Sequence, residues 1–284
     1  MKMNKNIHTF IGCDSEYEDS RIVIWGAPFD STTSYRPGTR FASATMRNES
    51  FGIETYSPYQ DKDLLDTEIF DGGDLELPFG NPVQALADIE EYTAKILEDG
   101  KLPLMIGGEH LVTLGAVRAA VKQYPDLHII HFDAHADLRD DYLGMTLSHA
   151  TVMRRCWDLT GDQRIFQFGI RSGERDEFYW AKEHISTCKF NFTDLEKAME
   201  QIGDKPIYFT IDLDVLDPSV FPGTGTPEAG GVTFLELTNA IKKVAKGNVI
   251  AADMNELSPI YDQSGASTAL ACKILRELLL ELYK

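Results

Sequence analysis

The sequence predicts a three-layer α/β/α fold built on a central, mostly parallel sheet. Three observations carry the prediction: near-continuous apolar runs recur, helical segments with end signals lie between them, and acidic residues gather just after the runs end. A run without polar alternation is what a strand buried on both faces requires. In order, the runs cover residues 21–26, 67–71, 102–106, 127–132, 164–169, 185–188, 206–211 and 248–252. The second and sixth are the weakest.

Between the second and third runs, Asn81-Pro82 pairs a capping side chain with a proline that needs no partner for its missing N–H. Leu86, Ile89 and Ile96 then share one helical face, and Gly100 ends the segment. Thr233 and Glu236 have capping-box spacing ahead of Leu237, Ile241 and Val244, with Gly247 as the stop. Residues 266–280 repeat Leu270, Ile274, Leu275 and Leu278 on a helical period. Such alternation implies right-handed crossovers. With no linker, repeat or low-complexity tract in view, one domain spanning residues 1–284 is expected.

A chain of 284 residues can bury a sizeable core without disulfides. Its net charge of -18 argues against nucleic acid or anionic membrane as partner and suits a small cationic molecule. Cys13, Cys156, Cys188 and Cys272 show no C-x-x-C spacing and read as reduced thiols of a cytoplasmic protein. Residues 1–14 lack the apolar region of a signal peptide, and no window approaches 18 consecutive apolar residues.

In open parallel sheets, ligands bind beyond the carboxyl ends of the strands. Four segments fall there: Gly107-Gly108-Glu109-His110, Asp133-Ala134-His135-Ala136-Asp137, Asp212-Leu213-Asp214, and Glu256. Asp133, His135 and Asp137 alternate, so an extended chain turns all three toward one site. Asp212 and Asp214 repeat the pattern on a second strand end. Four carboxylates a few ångströms apart resist joint ionisation unless cations neutralise them, and a binuclear metal centre meets that need. An oxygen-rich donor set with imidazole and no thiolate favours Mn²⁺ over tetrahedral Zn²⁺; cobalt, zinc, iron and nickel stay open.

Gly107 and Gly108 let the backbone turn and project His110 from the start of the next helix. Glu109 reads either as a partner of a ligand or as a charge at a helix N-terminus. His149 reads as a surface histidine or as a proton shuttle at the site's mouth. Glu256 reads as a loop ion pair or as a carboxylate that grips a guanidinium through two parallel hydrogen bonds. His128 and His131 read as packing or supporting residues, Asp253 as structural, and His8 and His184 carry no signal. Arg36, Gly38 and Arg40 form a loop that either closes one side of the pocket or only turns the chain.

These motifs, together with residues 210–218, Pro222-Gly223-Thr224-Gly225-Thr226-Pro227, Gly230-Gly231 and Asp253-Met254-Asn255-Glu256, resemble the ureohydrolase family of arginases, agmatinases, formiminoglutamases and guanidino-acid hydrolases. The resemblance covers nearly the whole chain. It implies a single ureohydrolase domain, an arginase-like parallel sheet of about eight strands, and a trimeric or hexameric homo-oligomer. It assigns two Mn²⁺ per subunit, one to His110, Asp133, Asp137 and Asp212, the other to Asp133, His135, Asp212 and Asp214. Asp133 and Asp212 bridge the pair, and a hydroxide between the ions attacks the guanidinium carbon. Asp137 orients that hydroxide and passes a proton to the leaving amine, Glu256 pairs with the guanidinium, and His149 shuttles protons.

Within the family the resemblance is greatest to bacterial agmatinases, which convert agmatine to putrescine and urea. Arginases typically carry asparagine where Arg139 stands, and alanine where Gly223 stands. Asp140 and Asp141 make the entrance attractive to an amine-ended chain. The nearest rivals are guanidinobutyrase and formiminoglutamase, whose acid-ended substrates would bind Arg139. A metal-stabilised regulatory paralogue without turnover is a further alternative, against which the complete ligand set counts. Two departures stand out: Glu109 where aspartate is common, and Ala150-Thr151 where glycine often follows the histidine.

Overall fold

The computed structural model describes residues 8–284, so the first half of the segment expected to lack a signal peptide lies outside it. In chain order the elements are β1 (Ile22–Ala27), α1 (Ala42–Glu49), β2 (Tyr56–Ser57), β3 (Lys62–Asp63), β4 (Ile69–Asp74), α2 (Pro82–Glu98), β5 (Leu102–Gly107) and α3 (Thr113–Gln123). There follow β6 (His128–Phe132), α4 (Val152–Thr160), β7 (Ile165–Ile170), α5 (Arg175–His184), β8 (Ser186–Lys189), α6 (Leu195–Ile202), β9 (Pro206–Asp212), α7 (Phe234–Val244), β10 (Asn248–Asn255) and α8 (Ala266–Leu282).

Eight strands form one sheet in the order β4-β1-β5-β10-β9-β6-β7-β8, and every pairing in it is parallel. Each of the eight apolar runs is one of these strands. The β2-β3 hairpin stands apart as a short antiparallel pair.

Because neighbouring residues of a strand point to opposite faces, the apolar runs supply two cores. Ile22, Ile24, Leu104, Ile130, Phe209 and Ile211 meet α1, α6, α7 and α8 on one face. Val23, Trp25, Met105, Ile129 and Tyr208 meet α2, α3, α4 and α5 on the other. This is the predicted α/β/α layering. Phe132 ends β6 directly beneath the acidic segment, its ring 4.9 Å from Phe209 and 4.5 Å from Phe192. The strand end that carries Asp133 therefore rests on packed aromatic rings.

The helix-end signals act largely as read. Asn81 Oδ1 accepts from the N–H of Gln84, 3.1 Å away, and Gly100 takes a left-handed φ of 73°. Thr233 and Glu236 form a reciprocal capping box. Gly247 differs, since α7 already ends at Val244 and the glycine lies beyond its cap. Its N–H still bonds the carbonyl of Val244 at 2.9 Å, and a Cβ there would meet only the flexible ends of Met199 and Ile207. Among the described residues, no helix is long and apolar enough to cross a membrane. The four cysteines are buried free thiols.

Candidate metal centre

The four segments expected to converge belong to adjacent strands, β5, β10, β9 and β6, at the middle of the sheet. His110 follows β5 in a turn that leads into α3. Gly107 and Gly108 place it, though by a different means from the expected sharp turn, since neither has positive φ. A side chain on Gly107 would overlap Asn255, and one on Gly108 would overlap the backbone of Phe29. Close backbone approach selects these glycines.

His110 Nδ1 lies 3.0 Å from Asp133 Oδ2, 3.3 Å from Asp212 Oδ2 and 3.5 Å from Asp137 Oδ2. On the far side of Asp133, His135 Nδ1 lies 3.0 Å from Asp214 Oδ2 and 3.5 Å from Asp133 Oδ1. All six predicted ligands are thus brought together, with one oxygen of Asp133 facing each imidazole. Asp133 Oδ1 also accepts from the N–H of His135, and Asp212 Oδ1 from that of Asp214, each two residues on. Asp137 reaches the site by another route than alternation. Its φ is 54°, a left-handed conformation rare for a non-glycine residue, which re-aims the side chain toward His110. Glu256 is held similarly, at φ 66°.

Electrostatics mark the cluster as a cation site. Burial, then the charge of Asp133, pushes Asp137 well above the usual carboxylate range. Burial, then Asp214 and Asp133, does the same to Asp212. Burial opposes charge on Asp133, yet His131, His110 and His135 together hold it well below that range. For His110, burial is outweighed by Asp133 and Asp212, which hold its imidazole well above the ordinary value.

The decisive atom is His110 Nδ1, which is buried and has no hydrogen-bond partner. His110 Nε2 lies 2.9 Å from Thr210 Oγ1, whose own hydrogen goes to Asp253 Oδ1 at 2.5 Å. Nε2 must therefore be the donor, so Nδ1 faces three carboxylate oxygens, and once its tightly held proton is displaced it presents a lone pair to them. Acceptors facing acceptors in a buried site call for a cation between them. The residues fit a metal.

Asp253 also accepts from Thr113 Oγ1, Tyr208 OH and Asn255 Nδ2. The residue expected to be merely structural is thus the anchor that sets the His110 ring. Thr210 had a sequence signal in the Thr-Ile-Asp-Leu-Asp segment, and its hydroxyl went unused in that reading.

Glu256 Oε1 accepts from the N–H of His110 at 2.7 Å. Burial and then the neighbouring Glu109 push its pKa up to about 8. Glu109, pushed to about 7 by burial despite opposing hydrogen bonds, accepts from Thr32 N, Thr32 Oγ1 and Thr33 Oγ1. Thr32 Oγ1 in turn accepts from the N–H of His149, 3.1 Å away. Glu109 is therefore a buttress for the loop that seats His149. Burial, then His135 and His110, lowers the His149 pKa to about 4, so its imidazole is neutral here and does not titrate near pH 7.

A cavity of about 280 Å³ opens onto His135 and Asp137 and is walled by Ser34, Arg139, Tyr142, His149, Glu174 and Glu177. Arg139 does not point a free guanidinium into it. Its Nη1 lies 2.9 Å from Glu174 Oε1, its Nε lies 3.7 Å from Glu177, and it stacks at 4.5 Å on Tyr142. Glu177 also accepts from Leu138 N–H and so fixes the turn after Asp137. Neither glutamate was singled out from sequence, because both lie in a polar helix start that looks like any solvated N-terminus.

The 36–40 loop does not line this cavity and is tied down beside it. Arg36 donates to the carbonyls of Thr224 and Gly225 and lies 4.2 Å over Tyr261, and Arg40 pairs with Asp30.

The arginase-family model matches residues 20–281. The chain belongs to the arginase family. An agmatinase of Bacillus subtilis is 49% identical over 281 residues, 97% of this chain and 96% of that protein. A Clostridium difficile crystal structure with 51% identity superposes at TM-score 0.92, covering 94% of this chain and 99% of that one. The agmatine ureohydrolase of Thermoplasma volcanium superposes at 0.89 with 33% identity, covering 98% and 95%. Arginase-family proteins are binuclear-metal hydrolases of amidines, and this chain carries a cluster of His and Asp side chains at the strand ends that could hold a metal ion.

Proposed function

We propose that this protein is an agmatinase that releases putrescine and urea from agmatine. The observation that carries the choice of substrate is the engagement of Arg139. With its guanidinium shared between Glu174 and Glu177, the cavity wall offers two carboxylates against one cation. Such a wall favours the amine end of agmatine over a carboxylate end, which disfavours the guanidinobutyrase and formiminoglutamase alternatives.

His110, Asp133, Asp137 and Asp212 would hold one divalent cation, and Asp133, His135, Asp212 and Asp214 would hold the other. Manganese suits that oxygen-rich set best. Two such cations, when bound, would supply a strong nucleophile from water near neutral pH, because cation binding lowers the pKa of water from 15.7 to about 7. The chain's own groups do the rest. Glu256 pairs with the guanidinium and fixes its orientation at the strand ends. Asp137 orients the attacking water and passes a proton to the departing amine. His149, kept as a neutral imidazole at the cavity wall, contacts the substrate there, and its low pKa weighs against the expected proton-shuttle role. We take the whole chain as one ureohydrolase domain that works in the cytoplasm as a homo-oligomer, trimer or hexamer; light scattering on purified protein tests the assembly.

The deciding experiment measures urea release by Mn²⁺-loaded protein from agmatine, arginine and guanidinobutyrate, with formamide release from formiminoglutamate. Preference for agmatine that is abolished by chelation is expected. Preference for an acid-ended compound would overturn the substrate, and silence on all four would favour a non-enzymatic paralogue.

A further inference from the structure

His131 stands beside the metal cluster, and its role turns on which ring nitrogen carries hydrogen. Its ring lies near enough to His110, Asp133 and Asp137 for all four to share a cation by distance alone. The hydrogen bonds decide otherwise. Gln167, on β7, places its side-chain nitrogen 2.7 Å from the carbonyl oxygen of Ala136. A carbonyl only accepts, so that atom is the amide nitrogen, and its orientation is settled. Its second hydrogen faces His131 Nδ1 at 3.0 Å, while Gln167 Oε1 accepts from Thr187 Oγ1 at 3.2 Å on β8. His131 Nδ1 is therefore an acceptor, and the ring hydrogen sits on Nε2, 2.7 Å from Asp133 Oδ2. A ring that offered Nε2 to a metal would need its hydrogen on Nδ1, directed at the Gln167 amide hydrogens in a fully buried pocket.

We propose that Gln167 locks His131 as a hydrogen-bond donor to Asp133, making His131 a positioning residue for the shared carboxylate and not a third imidazole of the centre. The arrangement explains how Asp133 is held to face both sides. One of its oxygens takes the N–H of His135 and the other the N–H of His131, so the carboxylate plane is fixed from both ends. Each oxygen keeps a lone pair, Oδ2 toward His110 and Oδ1 toward His135. Asp212 has no such imidazole, since its Oδ1 binds the Asp214 N–H and its Oδ2 faces His110. The line Thr187, Gln167, His131, Asp133 thus crosses three neighbouring strands to reach one ligand.

This inference rests on Asp133 serving the metal centre, so the test begins with Mn²⁺ binding to the wild-type chain by equilibrium dialysis. Fewer than two ions per chain there would sink the reading of the centre itself, whatever His131 does. Given two, His131→Phe is expected to keep two ions per chain and bind them about 10- to 100-fold more weakly. Its kcat should fall while KM holds, and His131→Gln, whose amide reaches the Nε2 position, should restore most of the affinity. One ion per chain in His131→Phe would make His131 a ligand and overturn the proposal. Two ions at wild-type affinity would overturn it as well. Should His131→Phe fail to fold, Gln167→Leu carries the test, with imidazole ¹⁵N shifts reporting the tautomer. Loss of the pure Nε2–H form together with weaker Mn²⁺ binding supports the lock, and an unchanged tautomer or affinity refutes it.

Discussion

Replacing Thr210 with valine isolates the support behind His110 from the ligand itself. Valine matches threonine in shape and favours strands, so β9 should keep its backbone. Two interactions disappear: the acceptor for His110 Nε2 at 2.9 Å, and one of four donors to the buried Asp253 carboxylate. An unsatisfied buried N–H costs about 1–3 kcal/mol, and a hydrogen bond to a charged group contributes about 1.5–3 kcal/mol. Stability of the chelated protein in urea should therefore fall by roughly 2.5–6 kcal/mol. The freed ring can rotate, so Mn²⁺ affinity should drop about 10- to 100-fold, as is usual when the partner of a metal-bound histidine is lost. Dialysis against buffered Mn²⁺ measures the affinity, and urea titration the stability. Wild-type affinity in Thr210→Val would refute the claim that this hydroxyl orients the ring.

Three further outcomes follow from the same geometry. Glu256→Gln should lower kcat/KM for agmatine by about 2–5 kcal/mol of transition-state binding. In chelated protein it should also stabilise, because wild-type Glu256 holds a proton up to about pH 8 that the unfolded chain releases near 4.5, so wild-type stability falls as pH rises across that window and the glutamine variant escapes the loss; denaturation at pH 5 and pH 8 reads the difference. Because His110, Asp137 and Asp212 all bind protons more tightly than usual, cations must displace those protons, and Mn²⁺ affinity should rise with pH and release protons, as titration in two buffers of different ionisation enthalpy would record. Phe132→Ala should cost about 3–5 kcal/mol in urea, since it empties the aromatic cluster under Asp133.

The strands were legible because a parallel sheet buried on both faces writes itself as uninterrupted apolar runs, and even the weak run at 185–188 became the edge strand β8. The β2-β3 hairpin was not, since two-residue strands such as Tyr56–Ser57 carry no period to detect. Helices with caps were placed from local chemistry, whereas α1, α5 and α6 are short segments that only the alternation implied. The clustering of donors was legible in the spacing of Asp133, His135, Asp137, Asp212 and Asp214. What spacing does not carry is direction. The left-handed turn at Asp137, the support of His110 by Thr210 and Asp253, and the pairing of Arg139 with Glu174 each join residues far apart in sequence through tertiary contacts.

The sheet order carries a consequence for how the protein comes into being. β10 is the last strand in the chain, yet it sits at the middle of the sheet, between β5 and β9. Until residues 248–255 leave the ribosome, the two halves of the sheet present open inner edges, the kind that pairs with other chains. Insertion of this one strand seals both edges and delivers Asp253 behind His110 and Glu256 beside it. A nascent chain shorter than this carries Asp133, Asp137 and Asp212 without the groups that orient His110, so assembly of the donor cluster is a late event that coincides with closure of the sheet.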